Sequence, residues 1–122
     1  METKRISIQE LEPQAFKAMY ALEGYLSATG LTKKQKDLIK MRASQMNGCA
    51  YCIDMHTKDA IKNGESIQRI FLLNAWRETG IFTDEEKILL AVTEEITLIS
   101  HHGLTADTYE KAVGIYGNNQ LA

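Results

Sequence analysis

The sequence has little that would place it in a membrane, in a secretory pathway or on a nucleic acid. It contains one proline, Pro13, and no runs of β-branched residues, so an all-β or α/β fold has little to build on. No apolar stretch approaches the roughly 18 residues needed to span a membrane. The opening Met1-Glu2-Thr3-Lys4-Arg5 is followed by no apolar segment of the kind a secretory signal requires. The 14 basic and 16 acidic residues are spread along the chain, for a net charge of −2. That leaves no basic block to neutralise phosphates and no acidic tail. A soluble, cytoplasmic protein is the expectation. Two cysteines cannot form a disulfide framework, and none is needed. A domain of 122 residues buries about two-thirds of its unfolded surface, and 44% hydrophobic residues can fill its core.

Turn signals divide the rest into about six helical segments. Pro13 suits the first turn of a helix that carries Phe16, Met19, Tyr20, Leu22 and Leu26 and ends near Gly30. Thr32 and Gln35 have the spacing of a capping box, opening a second helix with Leu38, Ile39, Met41 and Met46. Asn47-Gly48 breaks it, because both residues tolerate positive φ. A third helix is predicted from about Cys49 to Asn63, ending at Gly64. Ser66 caps a fourth with Ile67, Ile70, Phe71 and Leu73, up to about Trp76. Thr83 and Glu86 form a second capping box and begin a fifth helix with Ile88, Leu89, Val92, Ile96 and Ile99. Thr105 caps a sixth that includes Tyr109, Val113 and Tyr116. The final Asn118-Asn119-Gln120-Leu121-Ala122 reads as the start of another helix. There is no internal repeat.

The chemistry concentrates on Cys49, Cys52 and His56. Cysteines three apart, in a compartment where structural disulfides are rare, point to redox chemistry or metal binding. On a helix Cys49 and Cys52 are i, i+3 and Cys52 and His56 are i, i+4, so all three share a face. The first turn of a helix stabilises an anion, and the thiolate is the reactive form of cysteine. His56 is suited to move protons near neutrality, and Cys49 can resolve a sulfenic acid at Cys52 as a disulfide. Asp37 is a candidate for orienting His56. It lies about 15 Å before the Asn47-Gly48 break and His56 about 12 Å after it, at a rise of roughly 1.5 Å per residue. If the two helices fold back on each other, the two side chains reach similar depths.

Other readings compete. Zinc would find three ligands in Cys49, Cys52 and His56 and would need a fourth from His101 or His102. Covalent haem attachment requires His directly after the second cysteine, where Ile53 stands. A thioredoxin fold requires strands around the motif. The methionines Met41, Met46 and Met55 read as core filler, and Trp76 as a core or subunit-contact residue. Glu94-Glu95 reads as part of a solvated face, since adjacent residues diverge on a helix. His101-His102 fall near the end of the fifth helix, where cations suit the dipole.

The stretch from Met41 to His56, MRASQMNGCAYCIDMH, resembles the AhpD-like alkylhydroperoxidases of the carboxymuconolactone decarboxylase family. The likeness continues through Thr57-Lys58-Asp59-Ala60, Leu73-Asn74-Ala75-Trp76-Arg77 and Thr93-Glu94-Glu95, and covers most of residues 15–117. It implies an all-α helical bundle, a single domain over residues 1–122 that stops short of the family's further C-terminal helix, and assembly into homo-trimers or homo-hexamers. It also implies peroxide reduction, with electrons returned by a thiol or dithiol reductant, no cofactor and no metal. Cys52 would be the peroxidatic cysteine, Cys49 its proton donor and disulfide partner, and His56 the proton relay. Asp37 stands where family members usually carry Glu, one methylene longer, and Tyr51 stands where some carry His. A redox sensor on the same fold, or a decarboxylase that does not depend on the cysteines, are the alternatives.

Overall fold

A computed structural model describes residues 4–122 and is all-α among them, with seven α-helices and one 3-10 segment. The helices are α1 (Ile8–Leu11), α2 (Pro13–Ser27), α3 (Lys33–Asn47), α4 (Ala50–Lys62), α5 (Ile67–Leu72), α6 (Asp84–Thr97) and α7 (Ala106–Leu121). The 3-10 segment is Leu73–Glu78. The chain forms two compact units, Met1–Gly30 and Leu31–Ala122.

In the first unit α1 is a single turn capped by Ser7, which accepts a hydrogen bond from the Glu10 amide. It is too short to leave a periodic signature, and the sequence did not announce it. Pro13 occupies the first turn of α2, where its missing N–H is no loss. The Phe16 and Tyr20 rings, one turn apart, lie 5.4 Å from each other.

The second unit is built around α3, which packs against α4 and α6, while α6 also packs against α7. Both expected capping boxes are present. Thr32 accepts from the Gln35 amide while the Gln35 side chain accepts from the Thr32 amide. Thr83 and Glu86 do the same at the start of α6. The core joins Leu38 and Met41 of α3, Ala60 of α4, Leu73 and Trp76 of the 3-10 segment, and Phe82, Leu89 and Leu90 at α6. Leu38, Met41, Leu73 and Leu90 are fully buried, and each contributes about 1.5–3 kcal/mol of transfer free energy.

Three expected helices differ from their observed form, the fifth because α6 ends at Thr97, before the Ile99 expected on it. The fourth does not run unbroken to Trp76: α5 stops at Leu72 and tightens into the 3-10 segment, with a bend at Ala75 (φ −117°, ψ 30°). The sixth continues to Leu121, but through a kink at Gly117 (φ 72°, ψ 170°) that no other residue type adopts readily. The restart expected at Asn118 is this kink. Of the methionines, Met41 is core and Met46 half-buried, but Met55 is exposed, because it sits on the outer side of α4.

Among the described residues no helix is long and apolar enough to cross a membrane.

Candidate redox site

The turn between α3 and α4 sets the site. Gly48 is left-handed (φ 63°, ψ 29°) and ends α3. Its amide donates to the Gln45 carbonyl at 3.1 Å, and the Cys49 amide donates to the Ser44 carbonyl at 3.2 Å. These two bonds satisfy the carbonyls that a helix end leaves unpaired. Cys49 then begins the next helix as its N-cap, with extended backbone, and its Sγ accepts from the Cys52 amide at 3.2 Å. One residue therefore closes α3 through its N–H and opens α4 through its sulfur, so the chain reverses within two residues.

Cys49 and Cys52 are joined as a disulfide, with Cα atoms 5.3 Å apart. Both are half-buried. The pair sits where the free N–H groups of α4 converge, so a thiolate released there on reduction has donors beside it. His56 lies one turn further along α4 and is half-buried, while Tyr51 between the cysteines is 76% exposed. Among the described residues no hydrogen bond joins His56 to either sulfur or to Asp37.

The helices fold back as the depth argument requires, and Asp37 is buried. Its carboxylate meets the far end of α4: Oδ2 accepts from Asn63 Nδ2 at 2.8 Å. Counting across the Gly48 turn, Asp37 lies level with the buried Ala60, about one turn from either His56 or Asn63. The structure brings Cys49, Cys52 and His56 onto one helical segment and places Asp37 on the neighbouring helix, bonded to Asn63.

The residues that sequence reasoning missed form a charged cluster behind this turn. Glu94 is 8% exposed. Its Oε1 accepts from Arg42 Nε at 2.8 Å and from Trp76 Nε1 at 2.8 Å, and its Oε2 accepts from Arg77 at 2.6 Å. Arg42 also donates to Gln45 at 2.9 Å and to Asn74 at 3.0 Å. The expected solvated face at Glu94-Glu95 is thus corrected: Glu94 is enclosed by three donors. Glu95 accepts from the Thr105 amide at 2.9 Å and the Thr108 hydroxyl at 2.8 Å, fastening α7 to α6. Burial pushes the Glu94 carboxyl up, but the bonds from Trp76, Arg77 and Arg42 outweigh it and hold its pKa below the ordinary carboxylate value. The available signal was that Arg42, Trp76, Arg77 and Glu94 all fall within the segments that carried the family likeness. Trp76, 5% exposed, is a core residue. Arg69 plays a similar part nearer α5, bonding Glu65 at 2.8 Å and Glu86 at 2.7 Å while lying over the Phe82 ring.

His101 and His102 lie in turns beyond α6 and are exposed, with His102 Nδ1 2.8 Å from the Gly103 carbonyl. Among the described residues no group of three acidic, histidine or cysteine side chains could hold a metal ion, so the four-ligand zinc arrangement is not assembled. An apolar groove of about 190 Å³ opens between α3, α6 and α7, lined by Ile39, Leu89, Val92, Ile96 and Tyr116 among others. Neither cysteine nor His56 lines it, so it is separate from the candidate site.

A sequence model of the carboxymuconolactone decarboxylase family matches residues 13–95, which include the cysteine pair, His56 and Glu94. The chain belongs to this family. It is 42% identical over 118 residues to the uncharacterized protein YdfG of Bacillus subtilis, covering 97% of this chain and 80% of that protein. It is 27% identical over 59 residues to the uncharacterized protein YnjA of Escherichia coli, covering 48% of this chain and 32% of that one. A crystal structure from Agrobacterium tumefaciens superimposes with a TM-score of 0.92 at 38% identity, covering 98% of this chain and 82% of that one. That protein is described as one of unknown function and a candidate AhpD antioxidant defence protein. The fold of this family member is AhpD-like.

Proposed function

We propose that this chain is a thiol-dependent peroxidase that reduces organic or hydrogen peroxides through Cys49 and Cys52. The observation that carries the reading is the Cys49–Cys52 disulfide at the start of α4, in a chain of AhpD-like fold. In the proposed cycle the Cys52 thiolate attacks the peroxide O–O bond. The outer oxygen leaves as an alcohol or water after taking a proton, and Cys52 becomes a sulfenic acid. His56, one turn along the same face, supplies and collects that proton. Cys49 attacks the sulfenic sulfur, releasing water and forming the disulfide. A dithiol reductant of the cell then exchanges with it, leaving two thiols and an oxidised reductant. Asp37 supports the arrangement from α3. Direct contact with His56 would require it to leave Asn63, so its first task is to hold α4 against α3. Assembly into trimers or hexamers in the cytoplasm belongs to the same reading.

Steady-state consumption of an organic hydroperoxide with dithiothreitol as reductant tests the proposal. Multiple turnovers are expected from the wild type, with loss to background in Cys52→Ser; Cys49→Ser, whose sulfenic acid only the dithiothreitol can reduce, should turn over more slowly. His56→Ala should fall roughly 100-fold, the usual contribution of a general acid–base group. A single oxidation per chain followed by arrest would make the protein a sensor instead. Peroxide consumption unchanged in Cys52→Ser would rule out cysteine chemistry.

A further inference from the structure

The last turn of α3 delivers the cysteine pair, and helix ends are where backbone ordinarily frays. The Gly48 amide hangs on the Gln45 carbonyl and the Cys49 amide on the Ser44 carbonyl. Both of those residues are also tied by their side chains. Ser44 is buried, and its hydroxyl donates to the Lys40 carbonyl at 2.6 Å. Gln45 Oε1 accepts from Nη1 of Arg42, three residues back, at 2.9 Å. The same nitrogen donates to Asn74 Oδ1 at 3.0 Å, and Arg42 Nε donates to Glu94 Oε1 at 2.8 Å. One guanidinium thus joins the end of α3 to the 3-10 segment and to α6.

Stability alone does not call for this arrangement. Leu38 and Met41 already seat α3 in the core. Arg42 and Glu94 are both buried, and a buried ion pair is often no more stabilising than apolar side chains of similar volume. What a guanidinium adds is direction. Its donors sit at fixed angles in one plane, so with Nε held by Glu94, Nη1 is aimed at Gln45 and Asn74. Glu94 is itself fixed by Trp76 and Arg77, so the anchor does not swing. The consequence reaches the sulfur. Cys49 Sγ accepts from the Cys52 amide at 3.2 Å while the Cys49 backbone keeps its extended N-cap conformation. A hydrogen bond of that kind favours the thiolate over the thiol.

We propose that Arg42, anchored by Glu94, is a positioning residue for the cysteine pair. Through Gln45 it fixes the last turn of α3, and with it the backbone that presents Cys49 Sγ to the Cys52 amide. The inference deepens the peroxidase reading only in that it takes the pair to be redox-active.

Alkylation of the reduced, full-length chain by iodoacetamide tests it, followed across pH and resolved by peptide mass spectrometry to give the rate at Cys49. Gln45→Met removes the acceptor oxygen but keeps the length of the side chain. Arg42→Lys keeps the positive charge but replaces the fork with a single flexible ammonium. In both, the midpoint for Cys49 should move up by about one pH unit, the size of one hydrogen bond to a charged group. Gln45→Met should do so with wild-type circular dichroism and thermal midpoint. No other titratable group of α3, α4 or α6 changes in either variant. An unmoved midpoint in Gln45→Met would overturn the proposal. So would an unmoved midpoint in a folded Arg42→Lys, because charge without direction would then suffice. A shift in Gln45→Met that comes with lost helical structure would mark a merely structural role and overturn it too. The readout needs no peroxide, so a failure here leaves the peroxidase reading standing, and a wild type that does not turn over peroxide leaves this test intact.

Discussion

Glu94 is the residue whose surroundings differ most from what its sequence position suggests. Beside Glu95, both carboxylates look solvent-facing, yet one accepts bonds from Arg42, Trp76 and Arg77 and the other from Thr105 and Thr108. Adjacent helical residues diverge by about 100°, so Glu94 turns to the 3-10 segment and Glu95 to α7. Nothing in a single sequence says which long-range donors will meet a carboxylate. Removing one partner from a buried ion pair costs about 3–5 kcal/mol, so Glu94→Gln should destabilise the fold by about that much at neutral pH in urea titrations. The pH dependence has a definite sign. The folded-state pKa of Glu94 lies below its ordinary value of 4.5. Its stabilising contribution is therefore complete above that value and is lost as pH falls through the folded-state pKa. Glu86, lowered chiefly by its bond from Arg69 against the opposing effect of burial, adds to the same trend. The wild type should lose stability steeply on acidification through this range, and Glu94→Gln less steeply. Equal slopes in the two proteins would remove Glu94 from the account. Asp37 was legible as a residue facing α4 across the turn, but its bond to Asn63 and not to His56 was not, because the two lie about one turn to either side of its level.

Among elements, the α3–α4 corner holds the candidate site, and it was the most legible part of the sequence. Asn47-Gly48 announced the break, and the helical spacing of Cys49, Cys52 and His56 announced the shared face. The double duty of Cys49, at the end of one helix and the start of the next, depends on Gly48 holding φ 63°. A side chain there meets open space, but the backbone conformation itself is disfavoured by about 1–2 kcal/mol for an L-residue. Gly48→Ala should lower stability by about that amount, measurable by thermal or urea unfolding. It should also slow disulfide formation by disturbing the N-cap. An unchanged unfolding midpoint would show that the corner tolerates the substitution without strain. The elements that escaped reading are the short and irregular ones: the single turn of α1, the tightening of α5 into a 3-10 segment at Leu73, and the kink at Gly117. Each is too short or too irregular to repeat a period of 3.6.

At the scale of the whole chain, the all-α class followed from absences as much as from patterns (one proline, no β-branched runs, and turn signals that isolate helical periods), while the family followed from the Met41–His56 string and its continuations. What joins the fold to the proposed function is the disulfide at the head of α4. The most direct test of the cysteine cycle is to treat reduced Cys49→Ser with one equivalent of hydroperoxide in the presence of dimedone, and locate the adduct by peptide mass spectrometry. Without its resolving partner the sulfenic acid should persist, and the adduct should appear on Cys52. An unlabelled Cys52, with the peroxide left unconsumed, would contradict the account.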